Sequence, residues 1–437
     1  MNALAAFLVF VCAIGLLSAP RKWAPLPLLL GCCYLTLAQR VEIGPVSLPA
    51  FRILLFSGLI RVLIRGERIE RRANTVDYLV LIWGVWMFIA SLAHEKAAGS
   101  GPLFASGIIF NVWLVYYLVS VFCRKTEDAV DLVKVLAVVL FPVALEMVQE
   151  KLTGKNLFSF LGGVAPEVLV REGKRRAQAA FGNPILAGTI GSVCLPLFIG
   201  IWSRHKRSAF LGVGACCVMI VASASSGPIL SALCGLFAVS VWRFRSYTGY
   251  LRLLAVLLYI GLELVMTRPA IYLISKIDLA GGSTSWYRAR LLDSAFEHLS
   301  EWWAFGTDRT RHWMPTGIGW SDYHTDITSY YIQFGVWAGI LGLALLVLIL
   351  WYSFRYVGEG LKNLPERSTG EHYFLWCTGA GVFTHAATSL SVSYFDQSQV
   401  FFWLNVAAVG SLSARAQTPL AEVSSVAPEP YSVVTEE

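Results

Sequence analysis

The sequence predicts an all-α fold: a polytopic transmembrane helical bundle of about 12–13 spans with a large extracytoplasmic loop containing an amphipathic helix. Three observations predict it. Apolar residues are 56% of the 437-residue chain and charged residues 14%, where a soluble globular protein carries roughly a quarter charged. The mean hydropathy of +0.61 agrees, so lipid must cover apolar surface that one core cannot bury. Apolar stretches near the roughly 20 residues of a bilayer-spanning helix recur along the chain, and basic residues gather in alternate short connections between them.

The spans are read at 3–19, 24–38, 48–64, 76–93, 104–123, 129–149, 183–203, 208–224, 228–242, 252–268, 326–352, 373–391 and 398–413. The first is a membrane helix and not a cleaved signal peptide, because no basic residue precedes it while Arg21 and Lys22 follow it. The nine cysteines all fall in or beside apolar stretches and show neither a disulfide framework nor zinc spacing, so they read as packing residues.

Charge sets the orientation. Arg65, Arg68, Arg71 and Arg72 form one cluster, Arg124 and Lys125 the next, then Arg204, Lys206 and Arg207. Arg243, Arg245 and Arg252, and then Arg355, Lys362 and Arg367, complete the series. These connections alternate consistently, which makes their side cytoplasmic and explains the net charge of +7 without nucleic acid. Residues 1–415 then form a single transmembrane domain with extracytoplasmic loops 150–182 and 269–325, and 416–437 a Pro-, Ser-, Val- and Glu-rich disordered cytoplasmic tail.

Both long loops are basic. The first carries Lys151, Lys155, Arg171, Lys174, Arg175 and Arg176, the second Lys276, Arg288, Arg290, Arg309 and Arg311. Long loops translocate whatever their charge, so these cations fit either an anionic ligand at the outer surface or contact with anionic headgroups. From Ser285 to Phe305 the second loop has helical periodicity in Arg288, Leu291, Leu292, Ala295, Phe296, Leu299, Trp302 and Trp303. Gly281 to Ser285 supplies caps, Gly306 the stop, and Trp302 and Trp303 are placed at the lipid interface.

Three pieces of sequence carry a resemblance. They are Arg176-Ala-Gln-Ala-Ala-Phe-Gly-Asn-Pro184 opening a helix, Tyr287-Arg288 followed by a helix and the Gly306 turn, and His324-Thr325 followed by Gly335 and Val-Trp-Ala-Gly339. In these the chain resembles the O-antigen ligase and O-antigen polymerase superfamily of bacterial membrane glycosyltransferases, over roughly residues 140–345. The resemblance implies a glycan donor on a polyprenyl diphosphate, a glycan or lipid acceptor, and a metal-independent enzyme without cofactor. It implies an active face on the periplasmic side of the bacterial inner membrane. The arginine that the family often places after a serine between two middle helices is missing from Ala224-Ser225-Ser226-Gly227.

Displacement at an anomeric carbon needs a base for the acceptor hydroxyl and cations for the departing diphosphate. The resemblance assigns the cations to Arg288 and Arg176, whose planar forks grip phosphate oxygens and keep their charge, with Arg175, Arg290, Arg309 and Arg311 as neighbours able to replace the missing turn arginine. Alternatively these arginines cap carbonyls or pair with Glu167, Glu172 or Asp308. His324 is the expected catalytic base, since imidazole titrates near neutrality. Asp322, His324 and Asp326 also offer metal-ligand chemistry, though not at a specific spacing, and no metal site is expected.

Carboxylates in apolar spans mark function more often than chance. Glu146, near the outer end of the sixth span, is placed with the substrate-binding residues; Glu263, near the outer end of the tenth, and Asp396, in the outer turn between the last two spans, could also activate a hydroxyl or pair with a loop arginine, with solvation the competing reading for Glu146 and Glu263. Arg52 lies toward the same side, Arg61 is expected to reach the cytoplasm, and His385 to hydrogen-bond inside the bundle. The expected activity is polymerisation of surface or exopolysaccharide repeat units. A ligase acting on lipid A core or protein is the alternative, and a lipid or polysaccharide transporter the rival class.

Overall fold

The computed structural model describes residues 1–44, 46–94, 101–266, 285–319, 321–365 and 368–416. Helix accounts for 73% of it, with a few short strands. Lys276, the Gly281–Thr284 caps, Arg367 and the tail beyond Ala416 lie outside the described residues.

In chain order the elements are α1 (Ala3–Ser18), α2 (Pro25–Tyr34), an antiparallel pair β1 (Arg40–Ile43) and β2 (Val46–Pro49), α3 (Ala50–Arg65), α4 (Thr75–Ser91), α5 (Gly101–Phe122) and α6 (Thr126–Thr153). A second antiparallel pair, β3 (Leu169–Arg171) and β4 (Lys174–Arg176), leads to α7 (Pro184–Gly200), α8 (Lys206–Ala222), α9 (Ser226–Ser240) and α10 (Thr248–Val265). The chain ends with α11 (Ser285–Glu297), α12 (Leu299–Trp302), α13 (Tyr330–Asn363), α14 (Thr369–Thr388) and α15 (Gln399–Ala416). Every predicted apolar window contains a helix. By length and composition three helical segments can cross a membrane: Gly101–Phe122, the run Ser226–Val265, and Tyr330–Asn363.

Local chemistry explains where these helices start. Asn74 and Asp77 form a reciprocal capping box at α4, with Asp77 N–H donating to Asn74 Oδ1 at 3.0 Å and Asn74 N–H to Asp77 Oδ2 at 2.6 Å. The Asn183-Pro184 pair opens α7: Ile185 N–H donates to Asn183 Oδ1 at 2.8 Å, and proline takes the first turn, where no N–H is needed. The main core joins α6, α7, α8, α9 and α14 on one side with α4, α5, α13 and α15 on the other. No residue of α10 is buried, although the helix is rich in leucine and other apolar residues.

The helix ends sort into two groups. At one end Arg21 pairs with Asp128 at 3.2 Å, Arg124 with Glu70, and Arg204 with Glu371 at 3.9 Å, while Thr75 N–H donates to Tyr356 Oη at 2.9 Å. Arg61, buried, reaches the same end through an ion pair to Glu67 at 2.8 Å. At the other end Asn2 Nδ2 donates to the Phe160 carbonyl at 3.1 Å, and His94 Nε2 to the Phe305 carbonyl at 3.0 Å. Both long loops belong to this second end.

The 285–329 loop docks onto a break in α13. Ala338 and Gly339 leave helical geometry, with Gly339 at φ +70° and ψ −172°, a region open essentially to glycine alone. Thr307 N–H donates to the Val336 carbonyl and Ile340 N–H to the Trp303 carbonyl, both at 2.8 Å. A Cβ on Gly339 would strike the Ala304 carbonyl, and one on Gly335 would strike the Trp302 ring. The glycines of the 335–339 motif thus exist for this docking.

Two expectations need correction here. The amphipathic helix is not continuous to Phe305: His298 departs from helical geometry and separates α11 from α12. Trp302 is not at an interface, because that turn sends it inward. It is buried with Tyr287, Leu291, Trp313 and Val336, and its Nε1 donates to the Ala295 carbonyl at 2.8 Å, while Trp303 remains exposed. Gly306 does end the helix, at φ +83°.

Substituting Gly339→Ala should lower stability by about 1–3 kcal/mol, whereas Gly214→Ala in α8, with open space around its Cβ, should be neutral or stabilising by up to about 1 kcal/mol. Thermal unfolding of the two purified variants against wild type checks this.

Candidate functional site

The site is built around the α14–α15 turn, residues 389–398. Tyr330 N–H donates to the Ser389 carbonyl at 2.9 Å, and Arg288 Nε to the Ser391 carbonyl at 3.0 Å, so the second loop is tied down at both its arginine and its exit into α13. The first loop is tied to the same turn. Gly182 N–H donates to Asp396 Oδ2 at 2.9 Å, and Gln397 Nε2 to the Ala180 carbonyl at 3.0 Å. Asp396 is buried, with Ser398 N–H on its other oxygen at 2.8 Å. Desolvation raises its pKa and these N–H donors pull it back.

Strand alternation sorts the basic residues of the first loop. Leu169 faces Arg176 and Arg171 faces Lys174 in the β3–β4 register, so Arg171 and Arg176 share one face and Arg175 the other. Arg176 turns inward, buried, and donates from Nη2 to Ser225 Oγ at 2.5 Å and from Nε to the Ser223 carbonyl at 3.4 Å. Arg175 turns to the end of α6 and caps the Lys151 and Leu152 carbonyls at 3.2 and 2.5 Å.

The remaining predicted arginines are occupied elsewhere. Arg290 pairs with Glu297 at 3.2 Å on an exposed helix face. Arg311 donates to the Met314 and Pro315 carbonyls at 2.8 and 3.3 Å. Arg309 is exposed on the 307–310 turn. None of these hydrogen bonds reaches the Ala224–Gly227 turn. Arg176 does.

Burial lowers the pKa of both Arg176 and Arg288, and the charge of Arg171 pushes on each, so one cation lies within electrostatic reach of both. Asp326 opposes the effect at Arg288. Among the described residues no carboxylate forms an ion pair with Arg171, Arg176 or Arg288. Asp326 itself is raised by desolvation and partly restored by Arg288.

His324 sits on the same side of the second loop. Tyr287, next to Arg288 in sequence, donates from Oη to the Asp326 carbonyl at 3.1 Å and lies 2.9 Å from Thr325 Oγ1. The Thr325 hydroxyl donates to the Thr316 carbonyl at 2.8 Å. The imidazole is half-buried. Its Nδ1 meets Ser321 Oγ at 2.7 Å, burial lowers its pKa from the usual 6.5, and Asp308 draws it back.

Glu146 is not solvated. It is buried, its Oε1 accepts from Leu157 N–H at 3.1 Å, and its side chain meets that of Glu150. Glu150 accepts from Gln178 N–H at 3.0 Å, Ala179 N–H at 2.9 Å and Asn156 Nδ2 at 3.3 Å. Glu150 therefore holds the backbone at Gln178 and Ala179, between Arg176 and Asn183, while Glu146 holds Leu157. Glu263 is half-exposed on α10 and bonds Tyr259. Arg52 does not enter the site, since its Nε donates to Asn111 Oδ1 at 3.0 Å. His385 bonds Tyr394 Oη at 2.8 Å inside the bundle. A recess lined by Arg71, Asp77, Trp113 and Tyr116 opens at the opposite end of the helices, where Asp77 already accepts from Arg71 and Tyr116.

Sequence reasoning counted Arg171 among the loop cations without giving it a place in the site, and passed over Glu150 and the turn as an anchor. Period-two alternation of Arg171 and Arg176 across Glu172-Gly173 was the signal for the first, because Glu172 and Gly173 both take positive φ, as a tight hairpin turn requires.

No family model matches the chain, and no curated protein matches it significantly.

Replacing Asp396 with Ala should leave the Gly182 and Ser398 N–H groups unsatisfied and cost about 1–3 kcal/mol. Hydrogen exchange at residues 176–184 should accelerate with it. Unchanged exchange in that segment would show that the turn does not hold the first loop.

Proposed function

We propose that the chain is a polytopic glycosyltransferase of the bacterial inner membrane that acts at the periplasmic face on a polyprenyl-diphosphate-linked oligosaccharide, and that it belongs with the O-antigen ligase and polymerase superfamily. The observation that carries this reading is the anchoring of two basic loops, one bearing Arg176 and the other Arg288, to the single α14–α15 turn, with Arg171 within electrostatic reach of both and, among the described residues, no carboxylate ion-paired to any of the three. Like charges repel, and partial burial costs Arg176 and Arg288 solvation. A bound polyanion relieves both costs, and guanidinium suits diphosphate oxygens.

The membrane assignment is supported by α10, a largely apolar helix with no buried residue, whose exposed leucines, valines and isoleucine need lipid or a partner to cover them. Helix ends sorted into two groups, one rich in short basic connections, support the bundle orientation by the positive-inside rule. About 12–13 apolar helices then cross, and the β3–β4 loop and the 285–329 loop face the periplasm.

In the reaction the acceptor hydroxyl oxygen attacks the anomeric carbon as the bond from that carbon to the diphosphate oxygen breaks. The hydroxyl proton passes to His324, neutral at pH 7 and steadied at Nδ1 by Ser321. The electron pair leaves with the lipid diphosphate, whose growing charge the arginines stabilise. Chain polymerisation is the preferred outcome, because the Ala224–Gly227 turn carries no arginine of its own. The ligase reading gains from one observation: Arg176 bonds Ser225 and so supplies a guanidinium to that turn.

Reconstitution in liposomes with a polyprenyl-diphosphate oligosaccharide tests the proposal by glycan mobility. Wild type should elongate or transfer the glycan. Arg288→Ala should slow turnover by roughly 100- to 1,000-fold and His324→Ala by roughly 100-fold or more. Lipid translocation with unchanged glycan would support transport instead. Normal elongation by both variants would remove the site assignment.

The pH profile should follow His324. A protonated imidazole cannot accept the hydroxyl proton, and burial lowers the pKa from 6.5. Turnover should therefore stay level from about pH 7 to 8 and fall only as pH drops below roughly 6.5. A fall beginning above pH 7 would contradict a neutral, half-buried base.

A further inference from the structure

We propose that His298, Glu301 and His312 form a binding site for a divalent transition-metal ion of the zinc type on the surface of the 285–329 loop. The nitrogen and carboxylate ligand atoms of the three residues lie within 4.8 Å of one another. His312 Nε2 stands 3.0 and 2.9 Å from the two Glu301 oxygens, and His298 Nε2 stands 4.0 Å from Glu301 Oε1. Tetrahedral zinc with bonds of about 2.0–2.2 Å sets neighbouring ligand atoms roughly 3.3–3.5 Å apart, so small side-chain rotations bring the three to one ion.

The surroundings orient the donors as metal sites do. His298 Nδ1 lies 2.9 Å from the Ser294 carbonyl. A carbonyl can only accept, so Nδ1 carries the proton and the neutral ring presents its Nε2 lone pair to the cluster. Trp313 Nε1 donates to Glu301 Oε2 at 3.0 Å, which leaves Oε1 turned toward both imidazoles. The Trp313 ring also stacks on His298, with centroids 5.8 Å apart. Side-chain exposures of 27% for His298, 36% for Glu301 and 50% for His312 leave the site reachable from solvent. Two imidazoles and one carboxylate suit zinc, and three protein ligands leave a fourth position to water. An ion arriving here displaces the Nε2 proton of His312.

The ion would lock the loop. It joins α12 to the 310–313 segment, and that segment holds both flanks of His324. Thr310 and Arg311 N–H donate to the Tyr323 carbonyl at 2.9 and 3.0 Å, and Thr325 N–H donates to Thr310 Oγ1 at 3.1 Å. The metal is thus a structural clamp on the loop, and its binding does not depend on the proposed reaction.

Titration of the purified, tag-free, full-length protein with Co²⁺ and then Zn²⁺ after chelator treatment tests the site. Wild type should take up one Co²⁺ with visible absorption typical of nitrogen and oxygen ligands, no sulfur charge-transfer band, and displacement by Zn²⁺. Melting temperature should rise with Zn²⁺. His312→Ala changes a half-exposed side chain and should fold normally. It and His298→Ala should weaken uptake by more than the ~100-fold that loss of an outer-sphere partner brings. Failure of the wild type to bind stoichiometrically, a thiolate spectrum, or affinity unchanged in both variants would overturn the proposal.

Discussion

The turn between α14 and α15 is the constraint on which the rest of the site depends. Two of its carbonyls, Ser389 and Ser391, and one buried carboxylate, Asp396, accept hydrogen bonds from segments more than 50 residues away in sequence. Neither loop could hold its arginine at a fixed point alone: a loop's backbone groups need partners, and the hairpin β3–β4 is too small to be stable by itself. Anchored to one turn, Arg176 and Arg288 are set relative to each other by the helix bundle.

The electrostatics follow from that anchoring. Arg176 bonds only a hydroxyl and a carbonyl, and Arg288 a carbonyl, so both are held in place without a direct ion pair, with the Asp326 charge acting on Arg288 at longer range. Arg171 adds a third charge by hairpin alternation. By contrast Arg61 and Arg71 at the far end are answered by Glu67 and Asp77. The same residue type is structural at one end and charge-bearing at the other.

Much of the fold was legible because its signals are local. Apolar length marked each helix, Asn183-Pro184 announced the start of α7, and Gly306 the end of the α12 turn. What escaped was tertiary. The spacing of Trp302 fits an amphipathic face, but the His298 break rotates it into the loop core. Arg175 and Arg176 are adjacent in sequence, and only pairing in β3–β4 reveals that one caps α6 while the other faces Ser225. Glu150 looked like the first residue of a loop, yet α6 runs on to Thr153 and buries it beneath the backbone of the first loop. The three-residue cluster of His298, Glu301 and His312 spans fifteen positions without a recognised ligand spacing, so it too needed the fold.

The central claim is that Arg171, Arg176 and Arg288 together hold a diphosphate. Direct binding of a polyprenyl diphosphate to the purified protein, compared with the corresponding monophosphate and the free polyprenol, tests it without any need for turnover. The account predicts saturable binding that ranks diphosphate above monophosphate above alcohol, weakens with salt, and falls together in Arg171→Ala and Arg176→Ala. Equal affinity for all three lipids, or diphosphate binding unaffected in both variants, would contradict it.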